Sequence, residues 1–266
     1  MVADVLALVL LQLAAGLAAC TLLSSSKDLS GGFFALHGWI GAIALLLSWL
    51  VSGHGGLARA LFVVALAALV AHTLLARSGS AAFLAISRNL LFVSALASNL
   101  LLVTRVRVEP FVSLPGIGPI WLAAGLLLGA LLFGAVVWAM NLGHWYLVST
   151  SLPSGLLVRA TEAFAFLALL RAAFAAVALG FVAQNSAGEG AEALAGLLDP
   201  MRDGFFFWSR VTWGLFAPLI LAPFVVKTAR MKSNQAATGL LYVGLVFVLV
   251  GELLAAYLTR RSGLPV

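Results

Sequence analysis

The sequence predicts an all-α fold, a polytopic integral membrane helix bundle of about eight transmembrane helices, and three observations carry that expectation. Hydrophobic residues make up 63% of the 266 residues and charged residues only 9%, with a mean hydropathy of +1.14, far from the balance of a water-soluble domain. The apolar residues gather into eight runs, each near the roughly 20 residues that cross ~30 Å of hydrocarbon. The connectors between them hold the residues that break helices. In hydrocarbon each backbone N–H and C=O must be satisfied within its own segment, so runs of this length read as helices.

The runs span 4–23, 33–52, 57–76, 81–104, 118–141, 156–182, 205–226 and 237–258. They are separated by Ser24 through Asp28, Gly53 through Gly56, Pro110 through Gly116, Ser151 through Gly155, and Gln184 through Asp203. No connector is long enough for a second folded unit, so residues 1–266 read as a single transmembrane helical domain. The first run starts with Asp4 and has no Lys or Arg before Lys27. It therefore lacks the positive start of a signal peptide, although Leu17-Ala18-Ala19-Cys20 fits the pattern before a lipid-modified cysteine; an uncleaved helix is expected. Cys20 is the only cysteine, which excludes a disulfide, a thiolate metal site or an iron–sulfur cluster within this chain.

Eight spans place both termini on one face. Lys and Arg divide almost evenly between the two faces, so the positive-inside rule barely orients the chain. The compact Lys227, Arg230 and Lys232 cluster lies on the face opposite the termini, and the acidic connector with Glu189, Glu192, Asp199 and Asp203 lies on the termini's face. The expected orientation has the basic cluster cytoplasmic and both termini outside, in a bacterial inner membrane. The pI near 10.3 reflects membrane-flank arginines and not nucleic-acid binding, since no polar domain carries a basic face.

Polar residues within the spans are the informative ones, because each costs about 2.5–3.5 kcal/mol at mid-membrane on insertion scales. His37 and His72 are equally far from the turn at 54/55, so they are expected at one depth on antiparallel neighbours. Such a pair can ligate a haem iron or hydrogen-bond a quinone carbonyl, with Gly38 and Gly41 permitting close approach of a flat ligand or another helix. Arg88 and Asn89, Asn141, His144, Arg159 and Glu162 are expected near the same level, towards the cytoplasmic face. Arg159 and Glu162, three apart on one helix face, suit an ion pair. This level is the first expected site: Glu162 and His144 exchanging protons with a quinol headgroup, Arg88 or Arg159 beside Glu162, and His37 and His72 binding the ring or a haem. The bland alternative is a belt of interfacial residues satisfied by water and backbone.

The second expected feature is a structural ion pair. Arg210 and Glu252 are equally far from a turn near position 231 and so share a depth. Arg171 is deeper, with Glu252 its obvious acidic partner.

The stretch Trp208-Ser209-Arg210-Val211, the helix after it, and Leu241 through Leu254 with Gly251-Glu252 and a basic tail resemble the end of the membrane anchor subunits of the DMSO-reductase and polysulfide-reductase type. The resemblance covers about the last two helices. It implies a multi-helix anchor that exchanges electrons between menaquinol or ubiquinol and an iron–sulfur partner, here a soluble or peripheral redox subunit. Gly143 through Tyr146 and the His37/His72 level have no counterpart in that pattern. A small-molecule or ion transporter and a ligand-free structural subunit are the alternatives. No repeat between 1–130 and 131–266 supports the first.

Overall fold

The computed structural model describes residues 1–24, 29–52, 55–77, 81–104, 118–149, 152–153, 155–185 and 189–266. His54, Lys27, Arg105, Arg107 and the breakers at 25–28, 53, 110–116, 151 and 154 lie outside the described residues. Among the described residues every regular element is helical: α1 (Val2–Leu23), α2 (Gly31–Ser52), α3 (Gly56–Leu75), α4 (Ala81–Thr104), α5 (Gly118–Val148), α6 (Gly155–Asn185), the short α7 (Glu189–Leu198), α8 (Gly204–Arg230) and α9 (Asn234–Ser262). All but α7 are long and apolar enough to cross a membrane. The chain is thus an all-α polytopic membrane bundle.

Two elements depart from the sequence reading. The segment read as a connector contains α7, whose Ala- and Leu-rich stretch has high helix propensity and buries Leu197 against Val182, Phe207, Leu258 and Leu264. Helix α5 continues to Val148, so Asn141 through Tyr146 lie on its last turns instead of closing it.

Helix α8 is not uniform. It opens as an α-helix, widens into a π-helix over Arg210–Phe216 and returns to α over Ala217–Arg230. Pro218 explains part of this. Lacking an N–H, it cannot bond the carbonyl four residues back, which is that of Gly214. The Gly214 carbonyl accepts instead from Arg210 Nη1 at 3.0 Å. A buried guanidinium thus bonds a backbone carbonyl of its own helix. π-Helical insertions of this kind are rare and frequent at functional sites.

The helices meet along small-residue seams, as expected where lipid offers no hydrophobic drive for association and close packing must supply it. At the α1–α5 crossing a β-carbon on Gly16 would sit on the Ala130 carbonyl, and one on Gly134 would meet the backbone of Gly16. Gly214 and Gly251 bring α8 and α9 together, each also making room for Arg210. Neutral side-chain bonds to backbone carbonyls lace other seams: Ser48 Oγ to Ala7 at 2.8 Å and Ser94 Oγ to Ala65 at 3.0 Å. Large apolar side chains such as Ile43, Leu47, Phe166 and Ile220 point outward, as a lipid-facing surface requires.

The α1–α5 crossing tolerates no side chain. Overpacking typically costs about 1–3 kcal/mol, so Gly134→Leu should lower the melting midpoint of the purified protein by several degrees. Leu47→Ala, on the outer surface, should leave it unchanged; equal effects of the two substitutions would contradict the seam.

Candidate functional site

Three groups of polar residues stand out, and the most deeply buried is an ionic centre in the half of the bundle near the termini. Glu252 of α9 is placed by the Gly251 contact with α8, and Gly129 of α5 leaves the space its carboxylate fills. Glu252 Oε1 receives Arg171 Nε from α6 at 3.3 Å and Arg210 Nη2 from the π-helix at 3.3 Å. Its other oxygen, Oε2, accepts from Gln12 Nε2 of α1 at 3.2 Å. Gln12 Nε2 also lies 3.3 Å from the Leu126 carbonyl, and Arg171 Nη2 donates to the Val266 main-chain oxygen at 2.8 Å. All four residues are at most 2% exposed.

Two guanidinium side chains share the single carboxylate side chain of the centre, and one of them also holds the main chain at Val266. Three polar atoms lack a partner among the described residues: Arg171 Nη1, Arg210 Nε and Gln12 Oε1. A buried polar atom left without a partner costs about 1–3 kcal/mol. A cavity of about 10 Å³ adjoins the centre, lined by Gln12, Arg171, Glu252, Thr259, Pro265 and Val266 among others.

The polar level expected towards the opposite face divides into separate parts. His37 is buried, with Nδ1–H donating to the Phe33 carbonyl at 2.8 Å and Nε2 accepting from Asn141 Nδ2 at 3.3 Å. Both ring nitrogens are engaged, which leaves no lone pair on His37 for a haem iron. His72 Nδ1 lies 2.8 Å from Ser87 Oγ and 3.0 Å from the Ser87 carbonyl, tying α3 to α4. The space beside Gly38 and Gly41 is taken by Thr73, His72 and Leu69 of α3, a helix and not a flat ligand. Arg88, His144 and Arg159 are exposed on the outer surface of the bundle. Glu162 is partnered not by Arg159 but by Arg230 of α8, at 2.7 Å, because the end of α8 lies against the start of α6 there. The six residues are not brought into one cavity.

A different cavity, of about 370 Å³, opens between α1, α5 and α6. Its wall is apolar, built from Leu23, Leu29, Leu131, Ala135, Leu156, Ala160, Ala163 and Leu167, with Cys20, Trp138 and Arg159 also lining it. Trp138 Nε1 is buried without an acceptor among the described residues. Arg159 also lines a more open cleft of about 510 Å³ with Arg230 and Lys232. Both volumes fall in the range of small-molecule sites. Among the described residues no group of three or more His, Cys, Asp or Glu side chains is arranged to hold a metal.

Sequence depth matching located Arg210, Glu252 and Arg171, but not Gln12 or the returning tail. The signal for Gln12 was present, as the one amide in the first helix and the one polar side chain in its middle. Trp138 carried no sequence signal, since tryptophans in such helices are common and only an unmet N–H distinguishes this one.

Because Glu252 serves both arginines, its removal leaves two unpaired cations, whereas removal of Arg210 leaves a neutral Arg171–Glu252 pair. Breaking a buried pair typically costs about 3–5 kcal/mol. Glu252→Leu should therefore reduce folded protein in the membrane more than Arg210→Leu does, and Arg210→Leu combined with Glu252→Leu should do no worse than Glu252→Leu alone. Strictly additive losses, measured by yield and melting midpoint, would contradict a shared centre. The chain matches no protein-family model, no curated protein and no solved structure, so the geometry alone bears on function.

Proposed function

We propose that this integral membrane protein is a quinone-interacting anchor or electron-transfer subunit of a bacterial respiratory complex, and that the α1–α5–α6 cavity is its quinone site. The observation that carries the reading is an apolar cavity of about 370 Å³ whose wall includes two donor-bearing side chains, Arg159 and Trp138, the indole N–H of the latter buried without an acceptor among the described residues. A prenylated quinone has the complementary chemistry: ring carbonyls that accept hydrogen bonds and a tail that is at home in an apolar, lipid-facing opening. Arg159 sits near the start of α6, at the level where a headgroup lies.

Oxidation of a quinol releases two electrons and two protons. Glu162, adjacent to the lining residue Ala163, and His144 at the end of α5 are the groups at that level that exchange protons with the aqueous face. Arg88, on α4, lies outside the cavity wall, as do His37 and His72, which join neighbouring helices. With one cysteine in the chain, the electrons pass to a cofactor on a partner subunit, soluble or peripheral, consistent with the resemblance of the last two helices to reductase anchors. The inner membrane of a bacterium, with both termini outside, is the corresponding location.

A second reading has one observation in its favour. The basic cleft of Arg159, Arg230 and Lys232 shares Arg159 with the apolar cavity, an arrangement that also suits a phospholipid. Solvent extraction of the purified protein, with a reduced-minus-oxidised spectrum, separates the readings. Bound quinone at about one per chain, lost in Trp138→Phe with Arg159→Leu, is the expected result. Phospholipid alone would select the second reading; an α-band would show haem, and neither ligand would leave a transporter or structural subunit. In a quinone-loaded protein, Glu162→Gln should preserve binding and slow quinol turnover.

A further inference from the structure

We propose that the cleft between α6 and α8 binds the headgroup of an anionic phospholipid, whatever occupies the α1–α5–α6 cavity. Arg159 from α6, and Arg230 and Lys232 from the end of α8 and the turn after it, line this cleft of about 510 Å³. Glu162, which receives Arg230 at 2.7 Å, is the one acid in the stretches 150–165 and 225–240, where Lys227 brings the cations to four. Positive charge is therefore in excess around the cleft. Guanidiniums take phosphate oxygens in pairs, and an ammonium adds a point charge. Gly155, the first residue of the 31-residue α6, also lines the cleft, so the positive end of that helix acts in the same sense.

The backbone at Lys232 points the same way. Helix α8 ends with the Lys232 N–H bonded to the Ala229 carbonyl and the Ser233 N–H to the Thr228 carbonyl, a closure that usually has glycine in the left-handed position. Lys232 holds that position, with φ of 58°, although a β-carbon makes it costly. What the site gains is an ammonium on the cleft wall. The setting favours lipid over free phosphate. One membrane span begins at Gly155 and another ends at Arg230, so the cleft lies at the depth of lipid headgroups, where anionic lipids are recognised by basic pockets between helices. Below Arg230 and Lys227, at spacings of three and four, Pro223 and Ile220 are exposed on the same face of α8, and an acyl chain lying on that face leaves its phosphate beside the cations.

The test measures the melting midpoint of the detergent-purified full chain at constant ionic strength, with added phosphatidylglycerol, phosphatidylcholine or sodium phosphate. Phosphatidylglycerol should raise the midpoint saturably, by about 5 °C at one hundred times Kd, and the other two should not. Lys232→Gly removes one cation and suits the left-handed backbone. It should keep or raise the midpoint in phosphatidylcholine while increasing the half-saturating phosphatidylglycerol concentration about fivefold. Should that variant fail to fold, Lys232→Asn, which also tolerates this conformation, takes its place. An equal rise with phosphatidylcholine or sodium phosphate, no rise with any of the three, or unchanged half-saturation in the Lys232 variant would overturn the proposal. Lys232 lies outside the wall of the apolar cavity, so failure of the quinone reading leaves this response in place, and failure of the response leaves bound quinone in place.

Discussion

A single buried carboxylate holds this bundle's register. Glu252 takes one guanidinium from α6 and another from the π-helical part of α8, and receives the amide of Gln12 from α1, so four helices are fixed to one point in a medium that offers no other solvation. Other features follow from housing that point. Gly129, Gly214 and Gly251 are glycines because a β-carbon on each would meet Glu252 or Arg210. Arg210, at the start of the π-helical part, also donates to the Gly214 carbonyl of its own helix.

The remaining helices are held differently. Between α1, α2, α3 and α4 the bonds are neutral, with serine hydroxyls and the His72 ring meeting carbonyls across the seams. Bonds of this type contribute around 1 kcal/mol or less in membranes, so this side of the bundle rests mainly on packing of small residues. The two architectures part at α1, whose Gly16 closes on α5 while its Gln12 reaches Glu252. The ionic centre and the apolar cavity are also kept apart. The ionic centre lies toward the termini, and the apolar cavity opens near the other face, beside Arg159.

Much of this was legible in the sequence because membrane physics leaves few choices. Length and continuity of the apolar runs located eight spans, all within a few residues except the end of α5 at Val148, and the antiparallel geometry of α8 and α9 brought Arg210 level with Glu252. That same arithmetic gives depth but not azimuth. His37, His72, Arg88, His144, Arg159 and Glu162 occupy nearby levels, yet depth does not say that Arg88, His144 and Arg159 turn outward or that Arg230 takes Glu162 from Arg159. Facing is set by which small residues let which helices approach, and with 26 glycines the sequence leaves many seams open. The π-helix was hidden for a related reason: Pro218 signals a missing bond, but not which group replaces it. Helix α7 was overlooked because ten residues are too few to span and sit among turn formers.

The central claim, that Glu252 organises one side of the bundle, is tested most directly by amide hydrogen exchange on Glu252→Gln in detergent. The account predicts that protection falls across the π-helical segment Arg210–Phe216 and the facing turns of α6 and α9, while α3 and α4 keep theirs. Unchanged exchange at 210–216, or a uniform loss over the whole bundle, would contradict it.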